Sequence, residues 1–321
     1  MGDHLSLQAM PGRLRGNAES RQAANGWWRT FRDCFVAEQS EGWGRMNPPA
    51  LSERIAKIAR AAAFDAVGVA VHDCGTGRDF SMEGDRTFHA ASTMKVAVLL
   101  AIYKLAEEGR IRLGDTLHVR NRFRSLAGGV VFRVAANRDG DGEVHRWLGR
   151  SMRVHELARA MIVRSSNLAT NLLLDHIGLD AVRRILREAG IAGVEVARGV
   201  EDTRAFEAGI SNRVTARGLV KMFRLLCGGD FLRESTRQQM LDILHAQEFN
   251  SMIPERLPKG ARVAHKTGEI STVCHDAGIV FPPDRKPYVL AILTEMRASV
   301  ETRTGPVAEI SRAIWEALEM Q

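Results

Sequence analysis

Cysteine is scarce: the four cysteines in 321 residues, Cys34, Cys74, Cys227 and Cys274, are far apart, and none stands in a Cys-x-x-Cys or Cys/His spacing. This excludes a dense disulfide framework and a structural zinc site, and leaves free thiols as the expectation. No stretch reaches the roughly 18 to 20 apolar residues of a membrane-spanning helix. Before Met46 the longest clean apolar run is Cys34 to Ala37, too short for a signal-peptide core. The chain as written is therefore expected in the cytoplasm, or in the periplasm or outside the cell if its true N-terminus differs. Lysine is scarce too. The basic side of a formal net charge of +7 is nearly all arginine, the only lysines being Lys57, Lys95, Lys104, Lys221, Lys259, Lys266 and Lys286. The arginines are spread along the chain without a clustered run or aromatic-interleaved motif, so a solvated basic surface is expected and no nucleic-acid partner. There is no internal repeat and no low-complexity segment.

With 45% hydrophobic and 26% charged residues, the chain can bury one large core or two modest ones. Residues 1–46 are polar and Gly-rich, with Trp27, Trp28 and Trp43 but no sustained period, and read as a poorly ordered N-terminal extension. From Pro49 the pattern becomes regular. Leu51, Ile55 and Ile58 fall at helical spacing after a proline start. Ala66 to Cys74, the turn Gly75-Thr76-Gly77 and the segment Arg78 to Met82 read as a β-hairpin. Met94 to Gly109 is apolar over most of a helix circumference, as expected of a helix in a domain centre. Further helices are expected at Met152 to Val163, Leu168 to Ile177, Ala181 to Ala189, Thr215 to Leu226 and Glu234 to His245. Strands return at Ala261 to Lys266, Asp276 to Phe281 and Pro287 to Thr294, with Pro282 to Lys286 as a turn, and Gly305 to Met320 closes as a helix. The expected fold class is α+β: one antiparallel sheet of about five strands from both termini, flanked by helices, with an all-helical domain inserted. The expected division is 47–86 with 218–321 as the α/β domain and 87–217 as the helical domain, with the active site between them.

Three short motifs follow in order: Ser92-Thr93-Met94-Lys95, Ser165-Ser166-Asn167 and Lys266-Thr267-Gly268. Ser92 falls where the apolar helix begins and Lys95 comes one turn later, so helical periodicity puts hydroxyl and amine on one face, a nucleophile beside a base. A helix N-terminus favours a developing alkoxide and lowers the pKa of a buried ammonium. The alternative is an N-capping serine with a snorkelling lysine, which an otherwise apolar helix disfavours because burying an unpaired charge costs several kcal/mol. Ser165-Ser166-Asn167 sits at a helix junction, where polar residues also serve as caps. Lys266-Thr267-Gly268 ends an expected strand, and a lysine, a hydroxyl and a glycine at a strand edge suit a substrate carboxylate beside a peptide-like backbone.

With these motifs the sequence resembles the class A β-lactamases and the related penicillin-binding serine enzymes, whose motif set is S-x-x-K, S-D-N and K-T-G. The resemblance covers roughly Pro49 to Gln321, including Val67 to Gly77 before the serine, Ser166 to Leu174 after the second motif, and Leu257 to Gly268. It implies a serine hydrolase that opens the β-lactam ring through an acyl-enzyme on Ser92, with Lys95 taking the proton and Ser165 passing one to the leaving amine. It also implies that Asn167 orients the substrate amide, that Lys266 and Thr267 with Gly268 hold the substrate carboxylate, and that the backbone N–H groups of Ser92 and Glu269 form an oxyanion hole. The implied partner is a small molecule, a β-lactam or an acyl-D-amino-acid-like compound, with no cofactor, metal or membrane, and the chain is expected to be a monomer.

Two departures from the family pattern stand out. Ser166 replaces the middle aspartate of the second motif. The Glu-x-x-Leu-Asn of the Ω-loop is absent, and Arg198 to Gly209 stands in its place. Glu201 is the candidate for activating the deacylating water, since it follows Arg198 closely and precedes Thr215 by about the family's interval; Glu207 and Asp202 are its rivals. Without such a carboxylate, a D,D-peptidase or esterase that is acylated by β-lactams but deacylates slowly is the alternative. The absence of a signal peptide counts equally against cell-wall peptidase action and a role in antibiotic resistance. A silent binding module would be expected to have lost Ser92 or Lys95, and both are present.

Overall fold

Val67, Val69 and Val71 alternate with glycine and alanine, so the strand they form has no polar side and needs cover on both faces. The computed structural model, which describes residues 48–319, supplies that cover. The expectations for the extension 1–46, for Cys34 and for Met320 at the end of the last helix lie outside the described residues. In chain order the longer elements are α1 (Pro48–Ala61), β1 (Phe64–Asp73), β2 (Asp79–Met82), α2 (Lys95–Glu107), α3 (Val154–Val163), α4 (Asn167–Ile177), α5 (Leu179–Glu188), α6 (Ala216–Arg224), α7 (Glu234–His245), β3 (Arg262–Ile270), β4 (Val273–Phe281), β5 (Tyr288–Met296) and α8 (Thr304–Glu319).

The five strands form one antiparallel sheet in the order β3-β4-β5-β1-β2, so the two ends of the chain meet where β1 pairs with β5. Val69 opposes Ile292 and Val71 opposes Leu290 in that pairing. Alternation sorts the side chains into two layers. Val69, Val71, Leu290 and Ile292 pack outward against Ile55 of α1 and Ile310, Ile314 and Trp315 of α8. Ala70, Ala277, Ala291 and Leu293 face inward and join the core built on α2, where Val96, Leu99 and Leu100 are buried. The helix that is apolar all round thus lies at the centre, against α3, α4, α5 and α7. Among the described residues no helix is long and apolar enough to cross a membrane, and Cys74, Cys227 and Cys274 are buried.

The differences from the sequence expectation are local. The helix expected from Met152 begins at Val154, because Ser151–Arg153 pairs as a short strand with Thr116–His118, Leu117 opposing Met152. The strand expected to end at Lys266 continues to Ile270, paired with β4 throughout. Phe123–Arg124 pairs with Val131–Phe132, and Phe88–His89, Arg213–Val214 and Val194–Glu195 form a small sheet. Strands this short carry too few residues to display a period of two.

Ile292 is fully buried in the outer layer, against both terminal helices. Ile292→Ala should lower the free energy of unfolding by about 2 to 5 kcal/mol, as core truncations do, read from the urea midpoint at unchanged slope. A loss under about 1 kcal/mol would mean that the layer is not closely packed.

Candidate active site

Ser92 lies in a 3₁₀ turn, Ala91–Met94, that leads directly into α2. Neither start is capped by a side chain, so the serine hydroxyl is not spent as a cap, and Ser92 stays half-buried at the surface of a cleft. The turn is held on three sides. The Ala91 N–H donates to His89 Nδ1 at 3.0 Å, and the Thr93 N–H and Oγ–H both donate to the Ala90 carbonyl, at 3.1 and 2.6 Å. Behind it, burial pushes His275 down to about 4. The ring is therefore neutral near pH 7, with Nε2–H donating to the His89 carbonyl at 2.9 Å and Nδ1 accepting from the Thr294 N–H at 3.1 Å. In front lies Gly268 of β3: a Cβ there would sit 3.1 Å from the Ser92 nitrogen and 3.0 Å from that of Thr93. That close approach explains a glycine inside a strand rather than at its end.

Lys95 is fully buried. Its Nζ donates to the Ser165 carbonyl at 2.7 Å, to Ser165 Oγ at 3.1 Å and to Asn167 Oδ1 at 2.8 Å, so an ammonium here has each N–H satisfied. Burial, and then the nearby charge of Lys266, holds its pKa well below the ordinary lysine value, with Asp139 and Glu201 opposing. A neutral amine is thereby within reach, and in that form its lone pair can take a proton. The snorkelling alternative is excluded by the burial. The partners come from the α3–α4 junction, where Ser165 has φ +59° and so turns its carbonyl toward the amine. Ser166, wholly buried, caps α4 by accepting from the Ala169 N–H at 3.1 Å.

Lys266 is also fully buried; its Nζ donates to the Thr267 carbonyl at 2.9 Å, and burial pushes its pKa down to about 7 against the pull of Asp276. Because alternate residues of a strand share a face, Lys266 and Gly268 both face the serine turn. Glu269 is exposed and its carboxylate pairs with Arg303 at 3.0 Å, leaving its main chain on the sheet's edge strand.

Of the three Ω-loop carboxylates, Glu201 turns into the cleft. It has φ +61°, and its Oε1 accepts from Asn167 Nδ2 at 3.5 Å while its Oε2 lies 3.5 Å from Arg138 Nε. Asp202 is buried as the cap of the short helix Thr203–Glu207, accepting from the N–H groups of Ala205 and Leu126, both at 3.1 Å. Glu207 is exposed on that helix; all three carboxylates border one cavity of about 740 Å³, together with Phe132, Arg138 and Arg204. Arg138 and Asp139 are the residues that sequence reasoning missed. Arg138-Asp139-Gly140-Asp141-Gly142 carries only a turn signal, and nothing in it points to a helix 28 residues further on.

A sequence model of the Beta-lactamase enzyme family matches residues 50–318. A β-lactamase of Streptomyces fradiae is 28% identical over 260 residues, which span 78% of this chain and 81% of the relative. An acyl-enzyme complex of a PBP-A mutant with penicillin G is similar in structure, with TM-score 0.71 and 25% identity over 85% of this chain and 97% of that one. An ancestral class A β-lactamase gives TM-score 0.70 and 28% identity over 83% of this chain and 99% of its own.

The depressed Lys266 predicts a pH dependence with a definite sign. With its pKa near 7 the ammonium is present below that pH and lost above it, whereas a bound carboxylate raises the pKa. Affinity for a small carboxylate ligand should therefore hold below about pH 7 and weaken above it by up to about tenfold per pH unit. Lys266→Arg, whose guanidinium stays charged, should remove the decline. Titrating the ligand at successive pH values checks this; a profile flat from pH 6 to 9 in the parent would count against it.

Proposed function

Because the chain belongs to the Beta-lactamase enzyme family, we propose that it hydrolyses β-lactams through an acyl-enzyme on Ser92. The observation that carries this reading is the buried Lys95 amine, held by Ser165 and Asn167 one helical turn after a serine whose hydroxyl caps nothing. In this reading Ser92 Oγ attacks the ring carbonyl and its proton passes to Lys95. The tetrahedral oxyanion is met by the N–H groups of Ser92 and Glu269, on two segments whose mutual distance is fixed by Gly268. Ser165 Oγ, in contact with Lys95 Nζ, delivers the proton to the departing ring nitrogen, and the C–N bond breaks to leave the ester. Asn167 orients the amide of the substrate, while Lys266 and Thr267 hold its carboxylate. Glu201 then activates a water that cleaves the ester and frees Ser92.

One observation favours a second reading, a D,D-peptidase or esterase that is acylated by penicillins but clears them slowly. The Glu201 carboxylate is shared between Asn167 and Arg138, which restricts how far it can turn toward a water. Mass spectrometry after penicillin addition, followed over time, separates the two: a cleared adduct supports hydrolysis, a lasting one the slow acyl-enzyme, and no adduct removes both.

Ser92→Ala should abolish the adduct and lower turnover by at least about a thousandfold with the fold intact, as loss of a nucleophile does. An undiminished adduct in that variant would sink the mechanism. Removing the water-activating base should separate the two chemical steps. Glu201→Gln should still form the adduct but clear it at least about a hundredfold more slowly, while exposed Glu207→Gln clears it nearly normally. The reverse result would move the role to Glu207.

A further inference from the structure

We infer that Asp139 supplies, from a separate segment of the chain, the carboxylate that the second motif lacks at Ser166, and that it is the positioning residue for Ser165 and Asn167. This rests on the acyl-enzyme reading for its consequence and on the geometry of the α4 start for its mechanism. Four N–H groups at a helix start have no partner within the helix. At α4, Asp139 Oδ1 accepts from the Asn167 N–H at 2.8 Å and Oδ2 from the Leu168 N–H at 2.9 Å, while Ser166 Oγ takes the N–H of Ala169. A single carboxylate thus closes the first two places and the serine cap the third. Ser166 Oγ also donates to Asp139 Oδ2 at 3.4 Å, which ties the two caps together.

The carboxylate is itself held. Its side chain has no exposed surface, Oδ2 lies 2.9 Å from His145 Nε2, and Oδ1 accepts from the Asp141 N–H at 3.2 Å. Asp141 caps the next short helix by accepting from the Glu143 N–H at 2.9 Å and pairs with Arg164 at 3.5 Å. The segment presses so closely on the α3–α4 junction that a Cβ on Gly140 would strike the Arg164 carbonyl. Asn167 is therefore gripped at both ends, by Asp139 at its backbone N–H and by Lys95 at its Oδ1. Ser165, two residues earlier, meets the same lysine through its carbonyl and hydroxyl. Losing the carboxylate frees the start of α4 to shift, and misplacing Ser165 and Asn167 by even an ångström is enough to slow chemistry strongly. A carboxylate this near Lys95 also favours the protonated form of the amine.

The test exploits the departure from the motif. In Asp139→Ala, acylation by benzylpenicillin, followed by mass shift, should slow by at least about tenfold, and the backbone amides of residues 166–169 should exchange faster with deuterium. Adding Ser166→Asp to that variant places a carboxylate beside the space Asp139 vacates and should restore acylation to within about threefold of the parent. If Asp139→Ala does not fold, Asp139→Asn, which keeps the shape and loses one acceptor and the charge, is read in the same way. Acylation within about twofold of the parent in the single variant would overturn the inference. So would a double variant that regains the parent's unfolding midpoint and amide protection without regaining acylation. If the parent itself is not acylated, the acyl-enzyme reading fails on its own, and unaltered protection at 166–169 in Asp139→Ala would still overturn the positioning role.

Discussion

A fully buried lysine amine is the constraint around which the cleft is arranged. α2 is apolar on nearly every face, and placing Lys95 in it costs several kcal/mol unless the amine finds acceptors. The acceptors come from the junction between α3 and α4. Ser165 enters the left-handed region to aim its carbonyl, Asn167 adds its amide oxygen, and the sharp turn this requires must be clamped. The clamp is the Ser166 cap and the Asp139 carboxylate. One polar group in an apolar helix thus sets the conformation of two loops.

The serine turn is fixed by a different means, the approach of a sheet edge. β3 is an edge strand, and Gly268 lets it come against the turn without a side chain between them. From behind, the neutral His275 ties β4 and β5 to the segment before the serine. Ala91, Ser165 and Glu201 all have positive φ without being glycine, and each borders the cleft. Each such residue costs about 1 kcal/mol or more and persists only where its surroundings over-determine it. The hydrogen bonds of Ala91 to His89, Ser165 to Lys95 and Glu201 to Asn167 are that surrounding. Stability has been exchanged here for a fixed geometry.

Electrostatics completes the picture. Lys95 and Lys266 are both shielded from water, and the charge of Lys266 is the second cause of the lowered Lys95 pKa after burial. The carboxylates nearby, Asp276 for Lys266 and Asp139 with Glu201 for Lys95, offset the burial only in part. Both amines are thus pushed below the ordinary lysine value, a shift produced by environment rather than by residue type.

Sequence alone determined the large features, because they rest on local periodicity. The hairpin at the start, the three strands near the end, the apolar central helix and the three motifs all read from short windows, and the spacing of Ser92 and Lys95 already placed a hydroxyl and an amine on one helical face. Tertiary structure decided the rest. Gly268 read as the end of a strand, and only the serine turn packed against it explains why β3 runs on. Only its interval to Arg198 and Thr215 put Glu201 ahead of Asp202 and Glu207 in sequence; in the structure the first faces Asn167, the second caps a helix and the third points to solvent. The paired strands between residues 110 and 153 were too short to show a period. Asp139 was invisible for a related reason: a side chain that caps a helix 28 residues away leaves no mark in its own neighbourhood, since the contact is made by folding and not by spacing.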